Sequence, residues 1–295
     1  MVNPIRNIVL GVADTHSADP HLPAAVALAE RLGATLHVVN GFYLPDPSVH
    51  PYPEISALRP DALRHLREGA QDRLERMVYR AVSSDRVRCR AVAGTPEQAI
   101  TGVAGEVRAD LVIVGATRLG RVGRFLLGTT AQRVVRSSPS PVLVLRSTEW
   151  REPRRILFAT DLSPASADAS AFGLEVAEAL ADRPEKRFLL VLGYDLMPPP
   201  PLSRSAYDEA AAGELRRFVE GLPVDAGDAE TRVASGEPTE ALVAEAGQWG
   251  ADLLVLGTHG RSGLPRLLIG SVAEFVVKRA PCDVLVVRPR ANQEE

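Results

Sequence analysis

Residues 109–146 read "ADLVIVGATRLGRVGRFLLGTTAQRVVRSSPSPVLVLR" and residues 251–288 read "ADLLVLGTHGRSGLPRLLIGSVAEFVVKRAPCDVLVVR"; laid together without a gap, they agree at 15 of 38 positions. Self-similarity on that scale means a chain built twice, which limits the fold to two copies of one supersecondary plan. The same offset carries "GTPEQAI" at Gly94 onto "GEPTEAL" at Gly236, and with a small change of spacing "RNIVLGVAD" near the start corresponds to "RRILFATD" at Arg154. A length of 295 residues suits two domains. The polar stretch "STEWREPRR", residues 147–155, follows the last apolar run of one copy and precedes the first of the next. The boundary is expected there, giving domains at 1–147 and 154–290.

Within each copy, short apolar runs alternate with longer stretches of helical period, the pattern of βαβ units around a parallel sheet. In the second copy the runs are "RILFAT", "RFLLVLG", "TRVAS", "DLLVLG" and "DVLVV". Five strands are expected. A run such as "LLVL" has no polar alternation, so both faces of its strand need cover, as in a doubly wound α/β sheet. Helix starts are legible too: "GTPEQ" offers Thr95 as N-cap, Pro96 at the first helical position and Glu97 in the first turn, and "GEPTE" at Gly236 repeats the punctuation. The proline-rich "YLPDPSVHPYPE" and "DLMPPPPLSRS" read as surface loops.

The chemistry concentrates in "GTHGRSGLPRLLIGS", Gly257 to Ser271, between the apolar run "ADLLVL" and a helical stretch. In an open α/β sheet, ligands sit beyond the carboxyl ends of the strands. Glycine permits positive φ and brings an anion close to the main chain. Gly270 and Ser271 open the next helix, where unpaired N–H groups and the helix dipole favour an anion. That combination suits phosphate. Taken singly, each glycine also fits a plain tight turn, and Ser271 a plain cap.

The spacing of Gly257, Gly260, Gly270 and Ser271 resembles the Gly-x2-Gly-x9-Gly-Ser/Thr nucleotide motif of the universal stress proteins. "ILFATDLS" resembles that family's opening strand and "PCDVLVV" its closing strand, so the whole chain looks like a tandem member. The resemblance implies two Rossmann-like domains, each a five-stranded parallel sheet of order 3-2-1-4-5, with ATP held by members that keep the glycines. Carried over residue by residue, it places Gly257, Gly260, Gly270 and Ser271 around the phosphates. It sets Asp161 beside the ribose or a phosphate-bound Mg ion, and Val191 as backbone partner of adenine. In the first copy it names Val38, Gly115, Arg118, Gly128 and Thr129 as a weaker site, with Arg118 standing where the second copy has Gly260. Aligning "IVLGV" with "ILFAT" puts Ala13 opposite Asp161, while a one-residue shift brings Asp14 there. The second site is expected to be the tighter one.

The terminal strands "PVLVLR" at Pro141 and "DVLVVR" at Asp283 each end a copy, and an exposed apolar edge is an aggregation hazard unless paired. Pairing the two would make an intramolecular pseudo-dimer, like the two-fold dimer the resemblance implies for single-domain relatives; a further homodimer can build on it.

Composition narrows the remaining classes. A net charge of −3 argues against a nucleic-acid partner, and no apolar stretch reaches the ~20 residues of a membrane span. Two cysteines and an N-terminus without a signal-peptide core point to the cytoplasm. The chain has no Gly-x4-Gly-Lys-Ser/Thr loop, Gly-x-Gly-x-x-Gly fingerprint or Gly-x-Ser-x-Gly elbow, and His16 and His21 lack the spacing of a zinc-hydrolase pair. His259 reads as a loop residue near the phosphates. No catalytic residue can be named. The expectation is an adenine-nucleotide-binding stress or signalling protein that acts on an unknown protein partner, with a weak Mg-dependent ATPase or nucleotide hydrolase as the alternative.

Overall fold

The apolar runs become strands where sequence places them. The computed structural model describes residues 5–13, 15, 19–43, 60–119, 124–193, 204–258 and 269–288. The first copy comprises β1 (Asn7–Val12), α1 (Leu22–Leu32), β2 (Thr35–Phe42), α2 (Pro60–Ala81), β3 (Val87–Ala93), α3 (Pro96–Glu106), β4 (Leu111–Gly115), α4 (Thr129–Ser137) and β7 (Val142–Leu145). Between β4 and α4, the glycine motif of this copy folds as a small antiparallel pair, β5 (Thr117–Leu119) with β6 (Arg124–Leu126), a hairpin beyond the five strands expected. The second copy comprises β8 (Arg155–Thr160), α5 (Pro164–Leu180), β9 (Glu185–Leu192), α6 (Arg204–Glu220), β10 (Glu230–Ser235), α7 (Pro238–Trp249), β11 (Leu253–Gly257), α8 (Ser271–Arg279) and β12 (Asp283–Val287).

Local chemistry starts the helices as the sequence suggests. Thr95 caps α3 by accepting from the Gln98 amide, and the Gln98 side chain returns the bond, a capping box with Pro96 at the first turn. Ser163 caps α5 by accepting from Ser166 N. Gly94 and Gly236, which precede the two "x-Pro" helix starts, have φ of 138° and 146°, a conformation open to glycine and costly for other residues.

Ten strands form one sheet in the order β10-β9-β8-β11-β12-β7-β4-β1-β2-β3. Each copy contributes five parallel strands in the order 3-2-1-4-5, and the copies meet through β12 and β7, which run antiparallel. Leu285 faces Leu143, its own repeat counterpart, so a pseudo-two-fold axis passes through that pair. Helices α1, α2, α5 and α6 bury one apolar cluster against one face, and α3, α4, α7 and α8 bury another against the other face. Both clusters draw residues from both copies, so the core runs unbroken across the junction. No helix among the described residues is long and apolar enough to cross a membrane.

Candidate functional site

The carboxyl ends of β8, β9 and β11 open onto a cavity of about 580 Å³, a size typical of small-molecule sites. It lies at the switch point of the second copy, where β8 and β11 lead off in opposite directions. Its lining crosses the sheet. Leu190, Leu192 and Tyr207 belong to the cluster on one face, whereas Leu242, Leu256 and Ala273 belong to the other.

Asp161 follows β8 and lines the cavity. Its Oδ1 accepts from the Ser163 amide at 3.1 Å and from the Ser163 hydroxyl at 2.6 Å, which orients the carboxylate. The intervening Leu162 has φ +65°, a left-handed conformation that costs a non-glycine residue about 1 kcal/mol or more. The Leu162 amide donates to Thr160 Oγ1 at 2.9 Å, and that hydroxyl also meets Ser166 Oγ at 2.9 Å. A hydroxyl-bonded turn thus holds Asp161 at the cavity wall.

At the opposite wall, Gly270 donates its N–H to Thr258 O at 2.8 Å and serves as N-cap of α8, with no side chain capping the helix. Ser271 is the first helical residue, and Gly257, Gly270 and Ser271 all line the cavity. An uncapped helix start aimed into a cavity is an anion receptor. Val191 also lines it, at the end of β9; Gly260 and His259 lie outside the described residues. None of the motif glycines described here, Gly115, Gly128, Gly257 and Gly270, has a positive φ. What glycine provides at position 270 is room, since a Cβ would lie 3.3 Å from Thr258 O.

Several lining residues were not anticipated from sequence. Tyr207 and Glu214 reach the cavity from α6, seven residues apart and so on one face of the helix, and Ser166 and Thr258 add hydroxyls. No Lys, Arg or His is among the described lining residues. No cluster of three metal-ligating side chains occurs among the described residues.

The first copy places its equivalents differently. Ile8 pairs with Leu111 as Ile156 pairs with Leu253, so β1 and β8 superpose with Ala13, not Asp14, in the place of Asp161. Asp14 itself lies outside the described residues. In the second strand, Ile8 faces Leu36 and Ile156 faces Lys186, which makes Gly41 the counterpart of Val191. Val38 is therefore corrected: it corresponds to Phe188 and is fully buried mid-strand in the core. Gly128 caps α4 and Thr129 opens it, as Gly270 and Ser271 do for α8, but a Cβ on Gly128 would meet nothing within 4 Å. The backbone of Arg118 lies in β5, paired with Phe125.

Among the described residues, neighbouring groups close in on the strand-end glycines of this half. The buried His21 ring lies against Gly115 where a Cβ would stand, and Ile100 lies against Gly11 in the same way. A Cβ on Gly41 would be 2.5 Å from Pro96 Cα and 3.0 Å from Thr95 C. In the second copy, Ala159 and Val191 occupy the positions of Gly11 and Gly41, and α7 stands off far enough to leave the cavity open. Gly41→Ala should therefore force α3 outward and lower stability by about 1–3 kcal/mol, read as a drop in the denaturation midpoint. An unchanged midpoint would show that α3 does not close on β2.

The sequence profile of the Universal stress protein family matches residues 4–146 and again 152–288. The chain belongs to the universal stress protein family. Universal stress protein E of Escherichia coli K12 is 25% identical over 98% of this chain and 95% of that protein. The Haemophilus influenzae universal stress protein E homolog reaches 31% identity, over 55% of this chain and 56% of its own length. Among solved structures, a putative universal stress protein from Pseudomonas aeruginosa superposes with TM-score 0.65 and 20% identity over 97% of this chain and 94% of that one. A universal stress protein from Archaeoglobus fulgidus does so with TM-score 0.66 and 17% identity over 95% and 98%. These likenesses show a shared tandem fold across both halves.

Proposed function

We propose that the protein is an adenine-nucleotide-binding module of the stress response, and that one nucleotide, ATP in the simplest case, is held in the second half. The observation that carries this reading is the open cavity between the oriented Asp161 and the uncapped start of α8, in the half that keeps the glycine motif, while among the described residues of the first half His21, Ile100 and Pro96 close onto Gly115, Gly11 and Gly41. Leu190, Leu192 and Leu162 offer an apolar wall suited to a purine, and the α8 amides offer donors suited to phosphate.

Asp161 is placed to meet the ribose or a nucleotide-bound Mg ion, which characteristically takes one or two carboxylates and completes its shell with phosphate and water. The other carboxylate at the cavity, Glu214, pairs with Arg217 at 2.9 Å. We read occupancy rather than turnover as the output, sensed by a protein partner that recognises the loaded form. Residues 1–147 and 154–290 are taken as the two units. The cytoplasm is the proposed compartment, in keeping with two cysteines that are both free thiols.

The test is mass spectrometry of whatever small molecule leaves the gently purified protein on denaturation, followed by calorimetry with ATP and adenosine. Recovery of an adenine nucleotide and saturable ATP binding are expected. Absence of both would overturn the reading.

A further inference from the structure

Helix α8, whose amino end lines the cavity, is gripped at both ends by the other half of the molecule. At its carboxyl end, Arg146, which follows β7, donates from Nη2 to the Val277 carbonyl at 2.6 Å, a bond buried between the halves. The Arg146 backbone is itself fixed, because its amide donates to Asp283 Oδ1 at 2.7 Å. At its amino end, Arg136 of α4 reaches across the junction to Glu274 Oε1 at 2.8 Å, and Lys278 meets the same oxygen at 2.7 Å.

Repeat symmetry makes this arrangement informative. The Arg146 contact has a counterpart in Arg288, which donates to the Val135 carbonyl of α4 at 3.4 Å. The Arg136 contact has none of its kind: Gln132 stands where the second half has Glu274, and its amide bonds the Leu127 carbonyl within its own half. Among the described residues, the helix at the open cavity thus carries a clamp at both ends, and α4 carries one at its carboxyl end alone. Glu274 also creates a difficulty that the clamp resolves. It lies in the first turn of a helix proposed to receive phosphate, where an uncompensated carboxylate would repel the ligand. The Lys278 hydrogen bond first, and Arg136 second, hold its carboxyl below the usual glutamate range.

We infer that the first half serves as the positioning scaffold of the second-half site, with Arg146 anchoring α8 and Arg136 neutralising Glu274 beside the phosphates. This rests on the nucleotide reading above. Arg136 and Arg146 touch no ligand and are positioning residues; the site depends on them through α8.

Two measurements on the full chain test it. In calorimetry at low salt, Arg136→Met should weaken ATP about threefold and leave adenosine unchanged, since Lys278 alone then offsets the Glu274 charge that acts on phosphate. The ATP loss should vanish in the Glu274→Gln background. A loss equal for both ligands, or one that persists with Glu274→Gln, would overturn the charge role. In hydrogen exchange without ligand, Arg146→Met should speed the amides of residues 272–274 relative to the unmodified chain, with Arg146→Lys partly restoring protection. Unchanged exchange there would overturn the anchor. If the unmodified protein bound no adenine nucleotide, the nucleotide reading would fail, and the exchange result alone would judge the scaffold.

Discussion

A proline at position 286 is expected to break the junction between the two halves and to cost much of the protein's stability. Val286 sits in β12 between Leu256 of β11 and Val142 of β7, one residue from the pseudo-two-fold axis and fully buried. Proline removes a ladder N–H and, within sheets, is confined to edge strands, strand starts and bulges, none of which describes position 286. Against a typical total stability of about 5–15 kcal/mol, the loss falls on the ladder that joins the two halves among the described residues. Circular dichroism should show loss of cooperative unfolding, and the variant should precipitate as its apolar edge strands become exposed. A Val286→Pro protein with native cooperativity and solubility would mean that β12 and β7 do not carry the junction.

Gly270→Val should cost at least about tenfold in ATP affinity, with adenosine much less affected. Any Cβ at 270 would press on Thr258 O, the acceptor that fixes the N-cap, and a β-branched side chain would crowd the helix start where phosphate is proposed to sit. The contrast between ligands matters because a general loss of fold would weaken both. Gly128→Val is the matched comparison: a Cβ there has open space, and the adjoining crevice is filled, so ATP binding should not change. Equal losses for ATP and adenosine in Gly270→Val would place the phosphates elsewhere.

The duplication, the ten strands of the large sheet and the pairing of the last strands of the two copies were all legible, because they rest on local patterns repeated within one chain. "PVLVLR" and "DVLVVR" each close a copy with an apolar run, and an apolar edge needs a partner. The filled crevice was not legible, because it depends on contacts between residues far apart. Gly11 and Gly41 gain their meaning only from Ile100 and Pro96, which close onto them. Arg118 drew attention in the sequence because it replaces a motif glycine, yet the space is taken by His21, which precedes a helix and belongs to no motif.

Val38 was misplaced for a related reason. The offset between copies is 148 at Ile8 and Ile156, 150 at Gly41 and Val191, and 142 at Gly94 and Gly236, so no single spacing transfers the Val191 position. Asp161, named through the resemblance of "ILFATDLS", does line the cavity, whereas Tyr207 and Glu214 lie on a helix whose facing residues are set only by packing.

The central claim is that one half of the duplicated chain binds nucleotide and the other has closed its crevice. Titration of the intact protein with ATP, at protein concentrations well above the dissociation constant, measures this directly. The account predicts a break at one ATP per chain, and loss of that equivalent in Gly270→Val. Two equivalents per chain, or a single equivalent that survives Gly270→Val undiminished, would contradict it.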